Sequence, residues 1–280
     1  MSRQASPAGV DEARLEAFLA RHRHLLVITG AGCSTPSGIG AYRDEAGEWL
    51  RAEPVQMRDF VASEAARRRY WARSMHGWRA FRDAAPNAAH QALADLERRG
   101  VVRGLITQNV DGLHQRAGHD DVIELHGSLR RVVCLECGVS REREEVQRWL
   151  EARNGFVLDA SASLAPDGDA DLVIDDLSAF EVPRCADCGG LLKPDVVFYG
   201  DSVPRDRVDA CYAGVAQADA VLVVGSSLMV FSSFRFVRRA VDLGKPVAAV
   251  NRGRTRADAW LEFKVDEDCA AVLERIAANL

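Results

Sequence analysis

Apolar positions recur along this chain in two periods. Residues 11–22 carry Leu15, Phe18 and Leu19 at helical spacing, and 25–28 is a short all-apolar run, the pattern of a strand covered on both faces. The stretch 64–84 lacks proline, has Gly77 as its only glycine, and repeats Tyr70, Trp71, Trp78 and Phe81 near the helical period. It predicts a helix with an aromatic core face and a solvated face crowded by Arg67, Arg68 and Arg69. After a turn at Pro86-Asn87, residues 90–99 predict a helix ended by Gly100, and 101–107 and 122–125 predict strands. Further on, 191–201 reads as an extended apolar stretch, 206–218 as a helix, 220–224 and 246–250 as strands, and 270–280 as a closing helix. Helices alternating with buried strands predict an α/β fold built on a parallel sheet.

Polar and glycine residues gather where those strands end, which is where a parallel sheet places its ligand crevice. The first strand runs into Gly30-Ala31-Gly32-Cys33-Ser34, with Ser37-Gly38-Ile39 close behind, and this reads as a nucleotide-binding loop that exposes backbone N–H groups. The strict dinucleotide fingerprint fails because Thr35 stands where a third glycine belongs, so an ordinary glycine turn is the competing account. The second strand ends in Gln108-Asn109-Val110-Asp111, where Asn109 or Asp111 either faces a ligand or caps the following turn. The third runs into His126-Gly127, and a histidine there has the near-neutral basicity to take a proton from a hydroxyl, making His126 the best general-base candidate. His22, His24, His76, His90, His114 and His119 are weaker candidates, and most of them are expected to be structural. Two later strands end in Gly225-Ser226-Ser227 and Asn251-Arg252-Gly253 and join the same crevice.

Composition narrows the class. At 280 residues the chain can hold one large core plus a small annex, and 48% hydrophobic content with a net charge of −5 describes a globular protein without general affinity for nucleic acid. No apolar leader and no membrane-length run is present, so no membrane partner and an intracellular, cytoplasmic location are expected. Four of seven cysteines form Cys134-x-x-Cys137-Gly138 and Cys185-x-x-Cys188-Gly189, two knuckles whose thiolates predict a tetrahedral zinc site. Four protein ligands leave no open coordination position, so the ion is expected to be structural. Cys33, Cys211 and Cys269 have no partner by this pattern. Between the knuckles lie a helix-like stretch at 141–153 and a polar, acidic loop at 159–176.

Taken together, Gly30-Ala31-Gly32-Cys33-Ser34, Tyr42-Arg43, Thr107-Gln108-Asn109-Val110-Asp111, Leu125-His126-Gly127, the cysteine pairs, Lys193-Pro194-Asp195-Val196-Val197-Phe198, Gly225-Ser226-Ser227 and Asn251 resemble a sirtuin along nearly the whole chain. Arg69-Tyr70-Trp71-Ala72-Arg73, Ala165-Pro166-Asp167-Gly168-Asp169 and Cys269 look like class II sirtuins, the group of the mitochondrial sirtuin 4. The chain departs from the usual pattern at Gly40, where the family has proline, and at Tyr42, where phenylalanine is common.

The resemblance implies a Rossmann-like NAD-binding part at about 11–60, 86–130 and 191–280, a zinc module at about 131–190 and a helical segment at 61–85. It implies NAD over Gly30, Ala31, Gly32, Ser34 and Gly38, with Tyr42, Arg43 and Trp49 beside it and Gln108, Asn109, Val110 and Asp111 gripping nicotinamide and its ribose. Gly225, Ser226, Ser227, Asn251, Arg252, Gly253 and Cys269 would surround the adenosine half, and His126, Asn109 and Asp111 would be catalytic. The implied reaction moves an acyl group from lysine in a protein to ADP-ribose and releases nicotinamide. Transfer of ADP-ribose itself to a protein is the alternative enzyme, and a non-enzymatic zinc module is the alternative of another class. A Tyr-x-x-Arg pair is not evident after Trp49, which disfavours succinyl-lysine, and the class II features imply longer or branched acyl chains.

Overall fold

A computed structural model describes residues 8–41, 44–46, 48, 55–159, 162–164, 170–172 and 176–279. In chain order the elements are α1 (Ala8–Arg21), β1 (Leu25–Thr29), α2 (Met57–Ala62), α3 (Glu64–Asp83), α4 (Ala88–Arg98), β2 (Val102–Thr107), α5 (Leu113–Arg116), β3 (Val122–Glu124), β4 (Gly127–Cys134) and β5 (Ser140–Glu142). They continue with α6 (Arg143–Asn154), β6 (Ala162–Leu164), β7 (Ala170–Leu172), β8 (Leu192–Val196), α7 (Arg205–Gln217), β9 (Ala220–Val224), α8 (Phe231–Asp242), β10 (Val247–Val250), β11 (Phe263–Val265) and α9 (Cys269–Asn279).

Six strands pair in parallel in the order β11-β10-β9-β1-β2-β3. Period-two alternation sends Leu25 and Val27 of β1 to one face, with Leu15 and Phe18 of α1, Leu93 of α4 and Leu273 of α9, and sends Leu26 and Ile28 to the other, with Val215 of α7 and Val237 of α8. Both faces are covered, which is why the strands are apolar throughout rather than alternating. The helix at 231–242 is not evident from the sequence, because Phe234-Arg235-Phe236-Val237 alternates like a strand, yet its buried positions 233, 234, 236, 237 and 240 lie on one face at helical spacing.

The cysteine knuckles sit on a separate antiparallel sheet, β5-β4-β8. Its apolar face packs with α3 and α6 through Trp71, Met75, Val132, Leu150, Phe180 and Leu192. Tyr70, Trp71, Trp78 and Phe81 are all buried, as the aromatic periodicity predicts, whereas Arg67 departs from the expected solvated face. It is buried because its guanidinium donates to the Phe60 and Val61 carbonyls at the end of α2, 2.8 Å each, and so satisfies the last turn of that helix. No described helix is long and apolar enough to cross a membrane.

Candidate functional site

A cleft of about 620 Å³ opens at the carboxyl ends of β1, β2, β9 and β10. Ala31, Gly32 and Ser34 line it from the first turn, residues 108–111 from the second, Gly225, Ser226 and Ser227 from the third, Asn251 and Arg252 from the fourth, and Cys269 from the start of α9; His126 completes the set. Gly30, Gly38 and Gly253 do not line it. Tyr42, Arg43 and Trp49 lie outside the described residues, as does the 165–169 stretch.

The first turn differs from the expected row of open amides. Residues 31–33 and 35–37 form short 3₁₀ turns, and the N–H groups of Gly32, Cys33 and Ser34 donate to the carbonyls of Gly225, Gly30 and Ala31 at 2.9 to 3.0 Å. What the glycines provide is close approach. A Cβ on Gly32 would lie 2.9 Å from the Gly225 oxygen, and one on Gly225, whose φ is +58°, would lie 2.3 Å from the Cys33 nitrogen. The two turns therefore lock together into a thin wall that only backbone can form.

Behind that wall a hydrogen-bond chain fixes the second strand end. Ser34 Oγ donates to Asp111 Oδ2 at 2.7 Å and accepts from Asn109 Nδ2 at 2.9 Å, while Asn109 Nδ2 also reaches the Gly30 carbonyl at 3.0 Å. Asp111 Oδ1 accepts the Leu113 N–H at 2.9 Å, so the cap and the cleft-lining role fall on the same carboxylate. Burial pushes the Asp111 carboxyl above its usual range, opposed by the Leu113 N–H and the Ser34 hydroxyl.

His126 follows β3 and stands half-buried in the cleft. Its Nδ1 lies 3.1 Å from the Gln108 carbonyl, an acceptor only, so the proton sits on Nδ1 and Nε2 keeps its lone pair. Burial lowers its pKa to about 4, with the Arg235 and Arg207 guanidiniums acting in the same direction. The ring is thus an unprotonated base at neutral pH, held in one tautomer. Gln108 is itself fixed, donating from Nε2 to Ser226 Oγ at 2.7 Å and accepting from Ser233 Oγ at 2.9 Å.

Sequence reasoning missed Ser232 and Ser233, which belong to the unassigned α8; Ser232 Oγ lies 2.7 Å from His126 Nε2. The buried His90, His114 and His119 take the structural parts expected of them: His90 Nδ1 accepts the Asn87 N–H in a capping box, and His114 Nε2 meets Thr29 Oγ1 at 2.9 Å. Cys33, His90 and His114 lie close enough together to suggest a second metal site. The Asn87 N–H on Nδ1 leaves the proton of neutral His90 on Nε2, the nitrogen 4.0 Å from Cys33 Sγ, so this cluster is hydrogen-bonded rather than ligating.

The four knuckle cysteines converge. Cys134 and Cys188 sulfurs are 3.5 Å apart, Cys137 and Cys185 sulfurs 3.7 Å, and all four lie within 4.8 Å of one another. A tetrahedron of zinc–sulfur bonds near 2.3 Å requires edges of about 3.8 Å, so the thiolates present fit zinc. Gly138 and Gly189, at φ +72° and +75°, let each knuckle turn around the ion.

The Sir2 family matches residues 30–232. The chain is 56% identical to NAD-dependent protein deacetylase 2 of Bradyrhizobium diazoefficiens, over 92% of this chain and 95% of that one, and 53% identical to an NAD-dependent protein deacetylase of Bordetella bronchiseptica, over 94% and 96%. It superimposes on a solved structure of Sir2 with a p53 peptide and NAD+ at a TM-score of 0.77, with 29% identity over 95% of this chain and 97% of the other. With a match across most of its length and relatives above half identity, the chain belongs to the Sir2 family.

Proposed function

We propose that this protein is an NAD-dependent protein lysine deacetylase or deacylase, moving the acyl group to ADP-ribose and releasing nicotinamide. The observation that carries the reading is His126: a base with its lone pair on Nε2, set in the same cleft as the glycine wall and the Asn109–Asp111 segment. When bound, NAD supplies an activated ribosyl carbon that becomes the acyl acceptor as nicotinamide departs. Ala31, Gly32 and Ser34 would hold it against the thin wall, Gln108 to Asp111 would orient the reacting ribose, and Ser226, Asn251 and Arg252 would hold the adenosine end. Tyr42, Arg43 and Trp49 are assigned to the same ligand on the sequence resemblance. His126 would accept the proton of a ribose hydroxyl at Nε2, and the Gln108 carbonyl would stabilise the imidazolium through Nδ1–H. Residues 196–201 line the cleft and offer a wall for an acylated lysine side chain. The four cysteines would hold zinc as a structural ion. We also assign 11–60, 86–130 and 191–280 to the NAD-binding part and 131–190 to the zinc module.

The class II features carry a finer proposal: longer or branched acyl groups are turned over better than acetyl, since a pocket gains roughly 0.8 kcal/mol per buried methylene. The kcat/KM values for acetyl, succinyl, hydroxymethylglutaryl and lipoyl peptides with NAD test both levels. Loss of any acyl group that requires NAD supports the activity, and no NAD-dependent loss from any peptide refutes it. Acetyl-lysine as the best substrate removes the class II preference alone.

A further inference from the structure

The first turn of α8 carries two adjacent serines, and neither caps its own helix in the ordinary way. Ser233 Oγ donates to the side-chain oxygen of Gln108 at 2.9 Å, and the Ser232 hydroxyl lies 2.7 Å from His126 Nε2. Because Nδ1 of that ring must donate to the Gln108 carbonyl, Nε2 can only accept, and the hydrogen between the two groups belongs to Ser232. The turn before α8 contains Leu228 at φ +56°, the described non-glycine residue in the left-handed region. Leu228 is buried, and its N–H is tied to Ser226 Oγ at 3.2 Å. Backbone held in that region is strained and is retained where the surroundings dictate it. Here the surroundings aim the start of α8 at the base.

Resting on the deacylase reading, we propose that Ser232 is a positioning residue for His126: its hydroxyl donates into the Nε2 lone pair, fixes the ring against the Gln108 carbonyl, and yields that place to the substrate hydroxyl whose proton His126 takes. The exchange replaces one O–H donor with another, so it costs little and leaves no buried lone pair unmet. A donor on Nε2 also stabilises the neutral ring. Burial, Arg235 of α8, and Arg207 of α7, whose charge is shared with Asp195 of β8, favour the neutral ring too; Asp111 at the end of β2 lines the same cleft.

The test reads the ring without substrate. In the zinc-loaded protein labelled with ¹⁵N-histidine, the His126 signals are assigned by their disappearance in His126→Gln. At neutral pH the wild type is expected to show the Nδ1–H tautomer. In Ser232→Ala the Nε2 resonance is expected to move downfield as it loses its donor, and the acid limb of kcat/KM to rise by about one pH unit. Ser232→Thr, which keeps the hydroxyl, should restore both. If the Ala variant does not fold, Ser232→Cys, a weaker donor, is expected to give an intermediate shift. An Nε2 resonance unchanged in Ser232→Ala or in Ser232→Cys, or an Nε2–H tautomer in the wild type, overturns the assignment. Because the spectrum needs neither NAD nor peptide, failure of the deacylase reading shows separately, as absence of turnover with the ring geometry intact.

Discussion

His126→Ala is expected to lower kcat roughly 10²- to 10⁴-fold while leaving NAD binding in place, the size of effect that follows removal of a general base. The split follows from the geometry. His126 contributes one nitrogen to the cleft, whereas the glycine wall, Ser226 and the Asn109–Asp111 segment are fixed by bonds that do not involve the ring. The pH dependence has a definite sign. His126 and His90 have pKa values lowered to about 4 by burial, and burial lowers His114 as well, whereas in the unfolded chain each titrates near the ordinary 6.5. Between those values the unfolded chain binds more protons, so stability is fully present above about pH 6.5 and is lost progressively as pH falls toward 4. Activity should therefore hold through neutral pH and fall only toward pH 4, where His126 itself takes a proton. Turnover and isothermal NAD titration at pH 7.5 check the first claim. Near-normal kcat in the variant removes His126 from the role.

The second large effect is metal removal. The purified protein is expected to hold one zinc per chain, and Cys185→Ser to release it and unfold the 131–190 region, because structural zinc in small modules supplies about 10–16 kcal/mol and few domains have more than about 15 kcal/mol to lose. Cys134 and Cys185 belong to the same apolar cluster as Trp71, Leu150 and Phe180, so loosening the knuckles should expose aromatic surface on α3 and α6 as well. Elemental analysis gives the stoichiometry, and limited proteolysis locates the damage. A metal-free preparation with full activity and the wild-type digestion pattern refutes the site.

The reach of sequence reasoning here follows local physics. The parallel sheet was legible because both faces of β1, β9 and β10 are covered, leaving unbroken apolar runs such as residues 220–224. The zinc knuckles were legible because two-residue spacing and a following glycine are local requirements of the metal. His126, Asn109 and Asp111 were marked by standing just past strand ends, a position that topology turns into a cleft. Ser232 was not legible: its partner is 106 residues away, and a serine in a helix's first turn is ordinary. Arg67 was misread for a similar reason, since its acceptors are the carbonyls that end α2, a helix the aromatic pattern did not reveal. The amide-lined loop failed because its donors pair with Gly225 and with the turn itself, a contact set by the neighbouring strand.

Product balance bears most directly on the claim that this chain is an NAD-dependent deacylase. With the zinc-loaded protein, NAD and an acylated lysine peptide, mass spectrometry should find free lysine peptide, nicotinamide and O-acyl-ADP-ribose in equal amounts, none of them forming without NAD. Nicotinamide release with the acyl group still on the peptide and ADP-ribose attached to protein would contradict it.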